Sequence, residues 1–72
     1  MRVTSPKDIG EIVRHARKEA GMTQKELAKA CGCGVRFLSE LENGKPTIEL
    51  GKALRVLNVL SYDIDIDARR FS

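Results

Sequence analysis

The chain has 72 residues, of which 42% are hydrophobic and 32% charged, with a formal net charge of +3. That balance excludes a disordered polyelectrolyte and leaves room for one small core, expected to occupy residues 1–72 as a single domain. The charge is uneven, with eleven Lys and Arg against seven Asp and Glu up to residue 60 and two against three beyond it. The basic character that suits a polyanionic partner therefore belongs to the body, and the tail is slightly acidic.

Ser5-Pro6-Lys7-Asp8 reads as a helix start, with Ser5 as cap and Pro6 at the first helical position. Ile9, Ile12, Val13, Ala16 and Ala20 follow at helical spacing and Gly21 terminates, which predicts a first helix over 6–20. Thr23-Gln24-Lys25-Glu26 is a capping box, and Leu27, Ala28 and Cys31 share one face before Gly32, which predicts a second helix over 24–31. After the turn Gly32-Cys33-Gly34, a third helix is expected over 35–43, with Leu38 and Leu41 inward and Gly44 as terminator. Thr47 then reads as the cap of a fourth helix over 48–60, whose stripe is Leu50, Ala53, Leu54, Leu57 and Leu60. Gly51 weakens that helix, and a close helix contact is the expected reason.

The period then changes. Tyr62, Ile64 and Ile66 alternate with Asp63, Asp65 and Asp67, the signature of a strand over about 62–66. A lone strand needs a partner, and pairing with the same strand of a second copy across a dimer is the expectation. The alternatives are pairing with Arg2-Val3-Thr4 or a frayed tail. The fold class is therefore all-α, a compact four-helix unit with a short C-terminal β-strand.

Two short helices joined by a tight glycine turn, here over 24–43, are the helix-turn-helix pattern. Ala28 is small where the two helices must approach, and Leu27, Cys31, Cys33, Leu38 and Leu41 supply the apolar contacts. Cys31 and Cys33 are too close in sequence for an unstrained bridge and read as reduced core residues, which fits an intracellular, cytoplasmic protein. With His15 they fall short of a zinc ligand set, and the aspartates near the C-terminus lack the glycine and glutamate of a calcium loop. No nucleophile and base stand at a recognisable spacing, so no enzyme, metal or cofactor is expected. No apolar run is long enough for a membrane span.

The stretches Met22–Ala28 and Leu38–Lys45 resemble the Xre/Cro, or phage-repressor-like, helix-turn-helix family. Arg36–Thr47, together with Leu54–Leu60 leading into the tail, is similar to the HipB-like antitoxin branch of that family. The resemblance implies that the third helix enters the major groove of duplex DNA while the second crosses the backbone. The implied base-reading residues are Gly34, Val35, Arg36, Ser39 and Glu40, with Arg36 suited to guanine and Glu40 to the cytosine amino group. A simple Arg36–Glu40 pair on a solvated helix face is the alternative. The implied phosphate contacts are Thr23, Gln24, Lys25, Asn43 and Lys45, and Arg17 and Glu42 match a structural salt bridge. Phe37 is read either against the loop after Gly44 or against the DNA edge.

The implied function is a homodimeric, autoregulating repressor at a pseudo-palindromic operator, with a HipA-like serine/threonine kinase toxin as a second partner. A free-standing regulator without a toxin, and a protein-interaction module without DNA binding, are the competing readings.

Overall fold

The computed structural model describes residues 3–62, which hold four helices: α1 (Pro6–Glu19), α2 (Gln24–Cys31), α3 (Val35–Glu42) and α4 (Leu50–Val59). α3 packs against α1 and α2, and α2 also packs against α4. Their shared interior is Val13, Leu27, Ala28, Cys31, Leu38, Leu41, Ala53, Val56 and Leu57. Ile9, Ile12, Met22, Cys33, Phe37, Ile48, Leu60 and Tyr62 close over it from the rim. The family-like all-α architecture read from the sequence is the architecture present. Of the expected strand only Tyr62 is described, and Ile64 and Ile66 lie outside the described residues.

The helix starts follow the local chemistry. Ser5 Oγ accepts from the Asp8 N–H at 3.3 Å, and Asp8 accepts in turn from the backbone and hydroxyl of Thr4 at 2.8 and 2.7 Å. Thr23 and Glu26 form the full reciprocal capping box at 3.1 and 2.9 Å. Both carboxyls sit below their ordinary range. For Asp8 the cause is the hydrogen bonds from Thr4, and for Glu26 those from Thr23.

The helix ends share one device. After α1, the Met22 N–H returns to the Arg17 carbonyl and the Gly21 N–H to Lys18. After α3, Lys45 returns to Glu40 and Gly44 to Leu41. These paired returns are Schellman motifs, and each needs a left-handed residue at the joint, here Gly21 (φ +69°) and Gly44 (φ +75°). α4 ends the same way, with Tyr62 returning to Leu57 and Ser61 to Asn58. There the left-handed residue is Ser61 (φ +65°) rather than glycine.

α4 differs from its expected form. It starts at Leu50 rather than 48, and Glu49, not Thr47, is its cap residue, without a side-chain hydrogen bond. The Ile48 N–H is committed to the Lys45 carbonyl in a preceding turn, which delays the helix. The face of α4 that packs is also rotated from the expected one: Val56 is buried in the core while Leu50 and Leu54 are exposed. Ala20, also expected on a buried stripe, is the exposed cap residue of α1.

The close contact expected at Gly51 is absent, since a Cβ there would meet nothing within 4 Å. The glycine that permits close approach is Gly10, where a Cβ would fall 2.5 Å from the Leu41 carbonyl oxygen and 2.7 Å from that of Glu42. Two otherwise identical substitutions should therefore have opposite effects. Gly10→Ala must part α1 from the end of α3 and should destabilise by about 1–3 kcal/mol. Gly51→Ala removes only a helix-propensity penalty and should stabilise by up to about 1 kcal/mol. Urea denaturation of the two variants measures both.

Candidate nucleic-acid interface

α3 presents two faces. Leu38, Leu41 and Glu42 are buried, and Arg36, Ser39, Glu40 and Asn43 lie on the opposite side. The Arg36 side chain is 94% exposed. Gly34 is the N-cap residue of α3 and provides no capping side chain, and Val35 beside it is exposed. Of the base-facing set implied by the resemblance, Gly34, Val35 and Arg36 are exposed and Ser39 and Glu40 half-buried. Phe37 turns away from it: half-buried, it packs on the core, and Lys52 Nζ of α4 lies 5.7 Å from its ring centroid.

The inner side of α3 is fastened by one carboxylate. The side chain of Glu42 has no exposed surface, and Arg17 grips it twice, Nε at 2.7 Å and Nη2 at 3.0 Å. Arg17 also donates from Nη1 to the Met22 carbonyl at 2.9 Å, so it ties the end of α1 to α3 and to the loop before α2. Gln24 Nε2, at the start of α2, donates to the same carboxylate at 3.2 Å. Arg14 approaches it at 3.5 Å and also reaches Asn43 Oδ1 at 3.5 Å. Burial pushes the Glu42 carboxyl up, but the hydrogen bonds from Arg17 and Gln24 and the charge of Arg17 outweigh it, and its pKa lies below the usual range. Arg17 is held protonated above its ordinary value by the hydrogen bonds to Glu42.

The residues expected to touch phosphate are brought together in part. Gln24 and Asn43 share the Glu42–Arg14 network, and the Gln24 amide spends only one of its two N–H groups there. Thr23 and Lys25 are exposed around the start of α2, although the Thr23 hydroxyl is already an acceptor in the capping box. Lys45 pairs with Glu40 at 3.1 Å, a contact the sequence did not suggest. Arg14 was also missed. Its three-residue spacing from Arg17 along α1, on the same helix face, was the available signal.

Cys31 is buried and Cys33 half-buried, and both are free thiols. Burial pushes the Cys31 thiol up, and the neighbouring Cys33 adds to it. Among the described residues no three His, Cys, Asp or Glu side chains gather as a metal site, and no helix is long and apolar enough to cross a membrane.

Comparison with known proteins agrees with this fold. The helix-turn-helix family matches over residues 13–66. The chain belongs to that family, in its Xre/Cro-type division of DNA-binding transcriptional regulators, which are not enzymes. It is 51% identical over 65 residues to the uncharacterised HTH-type transcriptional regulator y4mF of Sinorhizobium fredii (strain NBRC 101917 / NGR234), covering 90% of this chain and 86% of the relative. It is 30% identical over 60 residues to the ImmF control region 10 kDa protein of Bacillus phage phi105, covering 83% of this chain and 67% of that one. Among solved structures, the fold matches HipB in a complex with an O4 20-mer at a TM-score of 0.84 and 24% identity, over 97% of this chain and 99% of that one. It matches a chain of a HipA-HipB-O2-O3 complex at the same TM-score, identity and coverage.

The buried pair makes a pH test possible. Glu42 has a folded pKa below its unfolded value, so its contribution is complete above about pH 4.5 and is lost as the pH falls through the folded pKa. Arg17→Met leaves the buried carboxylate without its main partner and should cost about 3–5 kcal/mol at neutral pH. In that variant burial dominates and the Glu42 pKa rises, so the sign reverses. Acidification from pH 7 towards 5 should then restore part of the lost stability, while the wild type stays flat over the same range. Denaturant melts across pH measure this, and parallel profiles for the two proteins would remove the pair from the account.

Proposed function

We propose that the chain is a sequence-specific operator-binding repressor that acts as a homodimer in the cytoplasm. On this reading α3 enters the major groove, Gly34, Val35, Arg36, Ser39 and Glu40 face the bases, and Thr23, Gln24, Lys25, Asn43 and Lys45 meet the backbone. The observation that carries it is the exposure of the whole Arg36 side chain on a helix whose other side is locked by Glu42. An exposed guanidinium on a fixed helix is suited to two parallel hydrogen bonds with guanine O6 and N7. With glycine and valine opening α3, part of the sequence preference would come from the shape and deformability of the duplex.

The dimer reading is supported by the alternation of Tyr62, Ile64 and Ile66 with aspartates, and by the exposed Leu54 and Val59 of α4. The finer role we infer is antitoxin of a HipBA-like operon that represses its own promoter and binds a serine/threonine kinase toxin. Its support is the resemblance of Arg36–Thr47 and Leu54–Leu60 to the HipB-like branch and the shared fold. A free-standing regulator is the second reading, favoured by a relative at 51% identity named only as a transcriptional regulator. Co-purification with the product of a neighbouring kinase-like gene decides between the two.

Footprinting on the chain's own promoter tests operator binding. Arg36→Ala should cost about 1–3 kcal/mol at the protected site and relax preference at one base position. A uniform loss across all sequences would reduce Arg36 to a phosphate contact. Truncation after Tyr62 keeps the residue that closes α4 and removes the alternating segment. It should shift the dimer towards monomer in sedimentation equilibrium, and an unchanged dimer would end the strand-pairing model.

A further inference from the structure

Two cations on the outward side of α3 and the loop after it stand beside one carboxylate in the unbound protein. Glu40 Oε2 lies 3.1 Å from Lys45 Nζ and 3.9 Å from Arg36 Nε, so one carboxylate serves two cations. Arg36 comes from the preceding turn of the helix and Lys45 from the loop beyond its end. All three side chains are partly or largely exposed, and ion pairs in that setting add little to folding stability. The interior of α3 is already fastened by Glu42, so the fold does not need a second carboxylate there.

A carboxylate oxygen and a phosphate oxygen are the same kind of acceptor for a guanidinium or an ammonium group. Phosphate contacts supply nearly all of the affinity for random DNA. We propose that Glu40 is a built-in competitor of the DNA backbone and thereby a specificity-determining residue. Its carboxylate holds Lys45 by a hydrogen bond and stands beside Arg36 in the free protein, and its charge opposes phosphate at close range. On random sequence only phosphate contacts offset the displacement of these pairs. At the operator, the base contacts of Arg36 add to them. This role rests on the reading that α3 faces duplex DNA, and it differs from a simple base contact because it acts mainly by weakening the wrong complexes.

The test compares the full-length wild type with Glu40→Gln, Lys45→Ala and the double variant. Fluorescence anisotropy is read over a range of salt on a random-sequence duplex and on an operator duplex recovered by in vitro selection. Glu40→Gln should bind the random duplex about 3- to 10-fold more tightly at about 0.05 M salt, with a log–log salt slope steeper by about 1. The gain should be smaller at the operator, so the ratio of operator to random affinity falls. In the Lys45→Ala background the gain on random DNA should shrink. Unchanged random binding and slope in Glu40→Gln would overturn the proposal, and a loss confined to the operator would make Glu40 a plain base reader. An equal gain with and without Lys45 would overturn it too, by showing a general charge effect. A wild type that binds neither duplex at low salt fails one step earlier and removes the DNA-facing reading itself.

Discussion

A carboxylate with no exposed surface, held ionised at the junction of three helices, sets the geometry of the molecule. Taking Glu42 out of water is costly, and the cost is met by a bidentate guanidinium at 2.7 and 3.0 Å and an amide at 3.2 Å. Those partners come from different elements: Arg17 from α1 and Gln24 from the first turn of α2. An apolar contact would hold α3 in place but would let it roll. A planar fork on a planar carboxylate fixes the rotation of the helix as well as its position. With the roll fixed, Arg36, Glu40 and Asn43 have no choice of direction.

Reaching that geometry requires α1 to come unusually near the C-terminal turn of α3, and Gly10 permits it. Arg17 stands seven residues beyond Gly10, two helical turns along the same stripe of α1. The missing side chain at Gly10 and the long one at Arg17 are thus complementary parts of one contact. Gly44 is similarly crowded, with the Lys7 Cα 2.7 Å from where its Cβ would stand, so the start of α1 also abuts the loop that leaves α3.

What the sequence made legible was what is encoded locally. The capping box at Thr23–Glu26 and the terminators Gly21, Gly32 and Gly44 each act within five or six residues, and each lies where the pattern placed it. The inward set Leu27, Ala28, Leu38 and Leu41 followed from periodicity alone. The readings that failed depend on which of several locally reasonable arrangements the folded chain selects. Gly10 and Gly51 look alike in sequence, and only the position of α3 separates a required glycine from a dispensable one. Thr47 has the chemistry of a cap, but the turn that binds the Ile48 N–H to Lys45 moves the helix start past it. The pairing of Arg17 with Glu42 came from family resemblance. Arg14 and Lys45 as partners of Glu42 and Glu40 needed the folded positions of both elements.

The joints between helices are closed by main-chain hydrogen bonds, and the interior is sealed from the inner side of α3. Val35, Arg36 and Ser39 consequently carry little structural duty, and exchanges there fall in the range of about ±0.5 kcal/mol typical of surface sites. A scaffold of this kind separates what it contacts from how it stands up. The outward face of its third helix is free to drift through many chemistries on an unchanged frame, as a key blank accepts different cuts.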